Sequence, residues 1–84
     1  MEDNKVIVIF NYIKTEKRLD IEVPLNITAN ELIVGLNQGL NLGINMNDMA
    51  ECYLQTENPI ALLKGNKLLE DYGIRNGTII NFTR

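Results

Sequence analysis

Histidine is missing from the 84 residues, and cysteine occurs once, at Cys52. The lack of histidine removes histidine-based catalytic triads, Cys-His dyads and nearly every zinc site, and a lone thiol cannot close an intramolecular disulfide. A reducing, cytoplasmic setting fits that thiol usage. Arginine is also scarce, with three copies against twelve asparagines and eleven isoleucines, a bias expected of an AT-rich bacterial genome. No long apolar run is present. Val6 to Phe10 is far too short to cross a bilayer, and Met1-Glu2-Asp3-Asn4-Lys5 is not the basic start of a signal peptide, so neither export by that route nor membrane insertion is expected. Net charge is −3, and the eight lysines and arginines are scattered among acids without forming a stripe, so nucleic acid is not an expected partner.

What remains is enough for one small domain, 1–84, with most of its apolar content committed to a single core. Val6-Ile7-Val8-Ile9-Phe10-Asn11-Tyr12 is β-branched and aromatic, and Leu19-Asp20-Ile21-Glu22-Val23 alternates until Pro24. These predict two strands joined through the polar link Lys14 to Arg18 as an antiparallel hairpin. Thr28-Ala29-Asn30-Glu31 has the capping-box pattern and predicts a helix start. Leu32, Ile33, Leu36 and Leu40 then form its apolar stripe, with Asn30, Asn37 and Gln38 on the opposite side. Asn41 to Asp48 reads as a loop, Glu51 to Thr56 as a strand ended by Asn58-Pro59, Ile60 to Leu63 as a short apolar segment, Lys64 to Lys67 as a turn and Thr78 to Thr83 as a last strand. The order β-β-α-β-β-β is α+β, one sheet packed on a single helix. The expected core is Val6, Val8, Phe10, Leu19, Ile21, Val23, Leu32, Ile33, Leu36, Leu40, Leu54, Leu69, Ile80 and Phe82.

The opening strand, the series Leu69, Asp71, Tyr72, Gly73 and Ile74, the Asn76-Gly77 turn and the hydrophobic ending together resemble the ubiquitin-like β-grasp superfamily. Within it the chain resembles the small YukD/EsaB-like proteins associated with type VII secretion in Gram-positive bacteria, over nearly its whole length. That resemblance implies a mixed sheet with the last strand beside the first. It also implies a cytoplasmic accessory or regulatory protein that acts by contact with a component of the secretion machinery, the cytoplasmic part of a membrane subunit being one candidate. A ubiquitin-like modifier or sulfur carrier is the alternative within the fold, but it needs a flexible Gly-Gly tail, and no glycine follows Gly77 before Thr83-Arg84. A β-grasp adaptor unrelated to secretion is another. No cofactor, metal or catalytic residue is expected, and the domain should be a monomer or a weak homo-oligomer.

Strand alternation then locates a candidate surface. With Val6, Val8, Phe10 and Tyr12 turned to the helix, Ile7 and Ile9 face away. If the final strand lies alongside with Ile80 and Phe82 inward, Ile79 and Asn81 come out next to them. Leu62 falls where ubiquitin-like domains carry an apolar residue on that face, so Ile7, Ile9, Leu62, Ile79 and Asn81 are the candidate partner-binding residues. The plainer alternative is that these residues merely satisfy central-strand propensity or are covered by a loop. Tyr72 is expected to satisfy a backbone group in the turn before the last strand, with Asp71 organising the same turn and Ile74 completing the motif. Gly73 and Gly77 are expected at positive φ, and neither stands in a phosphate-binding sequence. Cys52 is expected to be buried beside Leu54 as a small hydrophobe.

Overall fold

The computed structural model describes residues 4–83. The expectations resting on the Met1 to Lys5 start and on the Thr83-Arg84 end therefore fall at least partly outside the described residues. Five strands, β1 (Lys5–Tyr12), β2 (Lys17–Pro24), β3 (Leu54–Glu57), β4 (Ala61–Leu63) and β5 (Ile79–Phe82), form one mixed sheet in the order β2-β1-β5-β3-β4. The pairing β1–β5 is parallel and the other three are antiparallel. Helix α1 (Ala29–Leu40) follows the first hairpin. Its start is built as the sequence predicts. The Glu31 N–H donates to Thr28 Oγ1 at 3.0 Å, and the Thr28 N–H donates to Glu31 Oε1 at 2.9 Å, so two otherwise unpaired donors are satisfied reciprocally.

The core lies between α1 and the inner face of the sheet. Val8 and Phe10 from β1, Ile80 and Phe82 from β5 and Leu54 from β3 meet Leu32, Ile33 and Leu36 from α1, all of them buried. At the end of this layer Phe10 and Phe82 stack, and Tyr12 meets both edge to face. Ten of the fourteen expected core residues are buried, and Val6, Ile21 and Leu40 pack on the core half-buried. Leu19 differs: it is 43 % exposed. It pairs with inward-facing Phe10, but β2 is an edge strand, and Leu19 lines a small hollow with half-buried Tyr12 and Leu40. Correct alternation puts a residue on the inner face; only a neighbour above it removes it from water.

Three local departures have physical causes. The expected Lys14 to Arg18 link is shorter than predicted, because a 3-10 turn over Ile13–Thr15 and left-handed Glu16 reverse the chain in time for β2 to start at Lys17. The expected strand from Glu51 begins only at Leu54. Asp48 accepts from the Ala50 N–H at 3.0 Å and caps a 3-10 turn over Met49–Glu51, which takes those residues out of the sheet. Asn37, expected on the solvent side of α1, is half-buried: its Nδ2 donates to Ile44 O at 3.0 Å and its Oδ1 accepts from Ile44 N at 2.9 Å. This pair of bonds pins the loop after the helix and lets Leu42 and Ile44 enter the core, which the sequence reading left outside it.

Candidate functional site

The outer face of the sheet is the surface the candidate residues share. In β1 the side chains alternate, so that Val8 and Phe10 are buried while Ile7 is 44 % exposed and Ile9 half-buried. Parallel pairing places Ile79 beside Ile9 and Asn81 beside Asn11. Ile7 has no strand residue opposite it on the β5 side. Its N–H donates to Asn76 Oδ1 at 2.7 Å and its carbonyl accepts from the Gly77 N–H at 2.9 Å, so the Asn76-Gly77 turn occupies that position. Ile7, Ile9 and Ile79 thus form a short apolar strip over the two central strands.

Asn81 and Leu62 stand apart from that strip. Asn11 Nδ2 donates to Asn81 Oδ1 at 3.0 Å and Asn81 Nδ2 donates to Glu57 Oε2, a polar ladder running across three strands. Leu62 is 44 % exposed, but in the register it lies opposite Gln55, which in turn lies opposite Asn81. Strand β3 therefore separates Leu62 from Ile79, an offset of about 10 Å at ~4.8 Å per strand, filled by a polar row. The structure joins three of the five candidate residues into one apolar strip, places Asn81 in the ladder beside it and sets Leu62 on the far side.

The motif residues before β5 lie in and around the 3-10 turn that packs against β4 and the turn after it. Leu69–Tyr72 is a 3-10 turn that ends at Gly73 in the left-handed region (φ 78°), and Gly77 has φ 90°, so both glycines occupy conformations that side chains resist. Ile74 is buried. The Tyr72 hydroxyl donates to Lys64 O at 2.9 Å and accepts from Lys64 N at 3.3 Å, while Lys67 Nζ lies 4.8 Å from its ring centroid. Its partner is thus the turn after β4, a correction to the expectation of the turn before β5. Asp71 is exposed and contributes its backbone N–H to Leu68 O; its carboxylate makes no hydrogen bond to a described residue, so the turn is organised by backbone bonds and by Gly73.

Sequence reasoning missed two buried threonines under the same corner. Thr78 Oγ1 donates to Asn58 O at 2.8 Å and accepts from Arg75 N at 3.0 Å, and Thr56 Oγ1 donates to Pro59 O at 2.7 Å. Arg75 Nη2 also reaches Asn58 Oδ1 at 2.8 Å. Together these bonds tie the loop between β3 and β4 to the turn that enters β5. Alternation gives the signal after the fact, since Thr56 and Thr78 occupy inward positions beside Leu54 and Ile80.

Comparison with known proteins fits this architecture. The family model described as WXG100 protein secretion system (Wss), protein YukD matches residues 7–81. The chain belongs to the YukD family. No curated protein sequence gives a significant match. Among solved structures, the chain is similar to the C-terminal ubiquitin-like domain of mouse tubulin-specific chaperone e, with a TM-score of 0.72 and 13 % identity over 96 % of this chain and 87 % of that one. It is also similar to a de novo designed protein based on ubiquitin, with a TM-score of 0.64 and 16 % identity over 95 % and 88 % of the two chains. At such identities the likeness concerns the fold, which is ubiquitin-like.

Elsewhere on this YukD-family domain, a hollow of about 630 Å³ opens beside the start of α1, lined by Met46, Met49, Ala50, Cys52 and the Lys64-Gly65 turn. Cys52 lies at its wall, half-buried and outside any strand, with Sγ 3.3 Å from Asp48 O. This corrects the expectation of a strand cysteine buried beside Leu54, and the cause is the Asp48-capped turn that precedes it. Among the described residues no cluster of three or more cysteines, aspartates and glutamates is disposed to hold a metal ion, and no helix is long and apolar enough to cross a membrane.

Proposed function

We propose that this domain is a cytoplasmic, non-catalytic accessory protein of the WXG100 secretion system that works by protein contact, and that the contact is made by the outer sheet face at Ile7, Ile9 and Ile79. Membership of the YukD family supports the link to secretion. The observation that carries the contact is the exposure of Ile7 on a central strand, with Ile9 and Ile79 half-buried in the adjoining positions. Neighbouring side chains on the same face cover Ile9 and Ile79 in part, and the apolar area that remains exposed is what a docked partner would bury. Leu62, across the polar row, adds a second apolar point of contact. A cytoplasmic component of the secretion machinery is the partner this reading names.

The test is the pair Ile7→Thr and Ile79→Thr, which keeps β-branching and removes apolar contact. Secretion of the system's substrates and capture of its cytoplasmic components should fall, while the thermal unfolding curve stays near that of the parent. A folded double variant with unchanged secretion and unchanged capture would overturn the assignment of this face.

A further inference from the structure

Each isoleucine of the outer strip has an acid as its lateral neighbour in the register. Glu22 pairs with Ile7 and Asp20 with Ile9 on the β2 side, and Glu57 pairs with Ile79 on the β3 side. All three acids are exposed and at outward positions. Glu57 lies along the face, since its carboxylate accepts from Asn81 Nδ2. The cations that share the outward register, Lys5 opposite Pro24 and Arg18 opposite Asn11, stand at the two ends of the β1–β2 pair, and Arg75 is turned to Asn58. The strip is therefore an apolar line with acidic flanks on both sides.

This pattern selects among occupants. A second copy of the chain docking face to face on the strip brings acid against acid. A two-fold axis along the strands sets Asp20 over Glu57, which share one level of the register, and one across them, centred between Ile7 and Ile9, sets Glu22 over Asp20. An anionic membrane surface or a nucleic acid meets the same three carboxylates. Resting on the outer-face reading above, we propose that the partner is a different protein whose docking patch is apolar at its centre and carries arginines or lysines on its rim, placed to meet Asp20, Glu22 and Glu57. Rim charges of this kind steer encounter and fix register, whereas the isoleucines hold the complex once formed.

The experiment uses the full chain in cells that carry the secretion system, with a photoreactive phenylalanine analogue in place of exposed Gln55 on the outer face, or of exposed Gln38 on the helix as the control. Peptide mapping identifies what is captured. The captured protein is then purified and its association rate measured at two ionic strengths against the parent, against the Asp20→Asn, Glu22→Gln, Glu57→Gln triple variant, and against Ile7→Thr with Ile79→Thr. Capture from position 55 of a peptide containing lysine or arginine, a fall on the order of tenfold in association rate for the triple variant at low salt, and loss of most of the salt dependence support the proposal. The isoleucine variant should instead raise the dissociation rate and keep the salt dependence. Capture from position 55 followed by salt-independent binding that ignores the triple variant overturns the basic-rim proposal and leaves the outer-face contact standing. Self-crosslinks alone, or lipid adducts alone, from position 55 overturn it in favour of a second copy or a membrane surface. Capture from position 38 alone overturns the outer-face reading and this proposal with it.

Discussion

Strand β5 compares the two faces of the sheet in four residues. Ile80 and Phe82 are 1 % and 2 % exposed, whereas Ile79 and Asn81, one position away from each, are half-buried and meet no helix. Backbone propensity treats Ile79 and Ile80 alike, because both are β-branched and both suit a strand. What separates them is the neighbour across the face. Ile80 packs under α1 beside Phe10, while Ile79 lies beside Ile9 in a layer that also carries the Asn11–Asn81–Glu57 ladder. The inner face is organised by shape and apolar area; the outer face mixes an apolar strip with polar bonds along the sheet surface. One face is closed by α1, and among the described residues no helix covers the other.

The inner face, which carries the core, bears the largest expected stability effects. Phe10→Ala should cost about 3–5 kcal/mol, enough to leave so small a domain largely unfolded, since it removes a fully buried ring that contacts Tyr12 and Phe82. Urea denaturation followed by circular dichroism reads this. A Phe10→Ala midpoint equal to the parent's would place the core elsewhere.

Next come the buried polar ties. Thr78→Val keeps the shape but leaves Asn58 O and Arg75 N without the hydroxyl they share, a loss of about 1–3 kcal/mol. Asn37→Ala should cost a similar amount by freeing Ile44 from the helix and loosening Leu42 and Ile44 in the core. Amide exchange at Ile44 would accelerate in this variant ahead of exchange in β1. Equal protection at Ile44 in parent and variant would show that the loop is held without the asparagine.

These ties mark where sequence reading stopped. The strands, the helix cap, the hairpin and most of the core were legible because alternation, helical spacing and a capping box are local patterns, and the closing motif resembled a known superfamily. The bidentate bond of Asn37, the hydroxyls of Thr56 and Thr78 and the reach of Tyr72 to Lys64 link residues up to 20 positions apart through geometry, and an asparagine or threonine in a string gives no sign of its partner. Leu19 fails for the opposite reason: its pattern is right and its cover is missing. On the candidate surface, alternation found Ile7, Ile9 and Ile79. The separation of Leu62 depended on the order of β3 and β4 in the sheet, which periodicity within a strand does not carry.

A smaller effect is expected at the turn clamp. Tyr72→Phe removes the hydroxyl bonded to Lys64 O and N but keeps the ring under Lys67, for a cost of about 0.5–1.5 kcal/mol. The loss should appear as faster exchange of the Lys64 amide with the rest of the spectrum unchanged. Chemical-shift changes spread through β1 and β5 would instead mean that Tyr72 supports the sheet directly.

The smallest effect is the sharpest test of the two faces, because it applies one substitution to adjacent residues. Ile80→Thr puts a hydroxyl into the packed layer under α1, where it also leaves a void, and should cost several kcal/mol by the combined loss of apolar burial and an unsatisfied polar group. Ile79→Thr puts the same hydroxyl on the outer face within reach of water, retains strand propensity and should change stability by less than about 1 kcal/mol. Parallel thermal melts of the two variants give the comparison directly. Should Ile79→Thr destabilise as much as Ile80→Thr, the strip would be part of this domain's own core and have no apolar surface to offer a partner. A large gap between the two, with Ile79 nearly silent in stability, leaves the isoleucine free to be selected for what binds it.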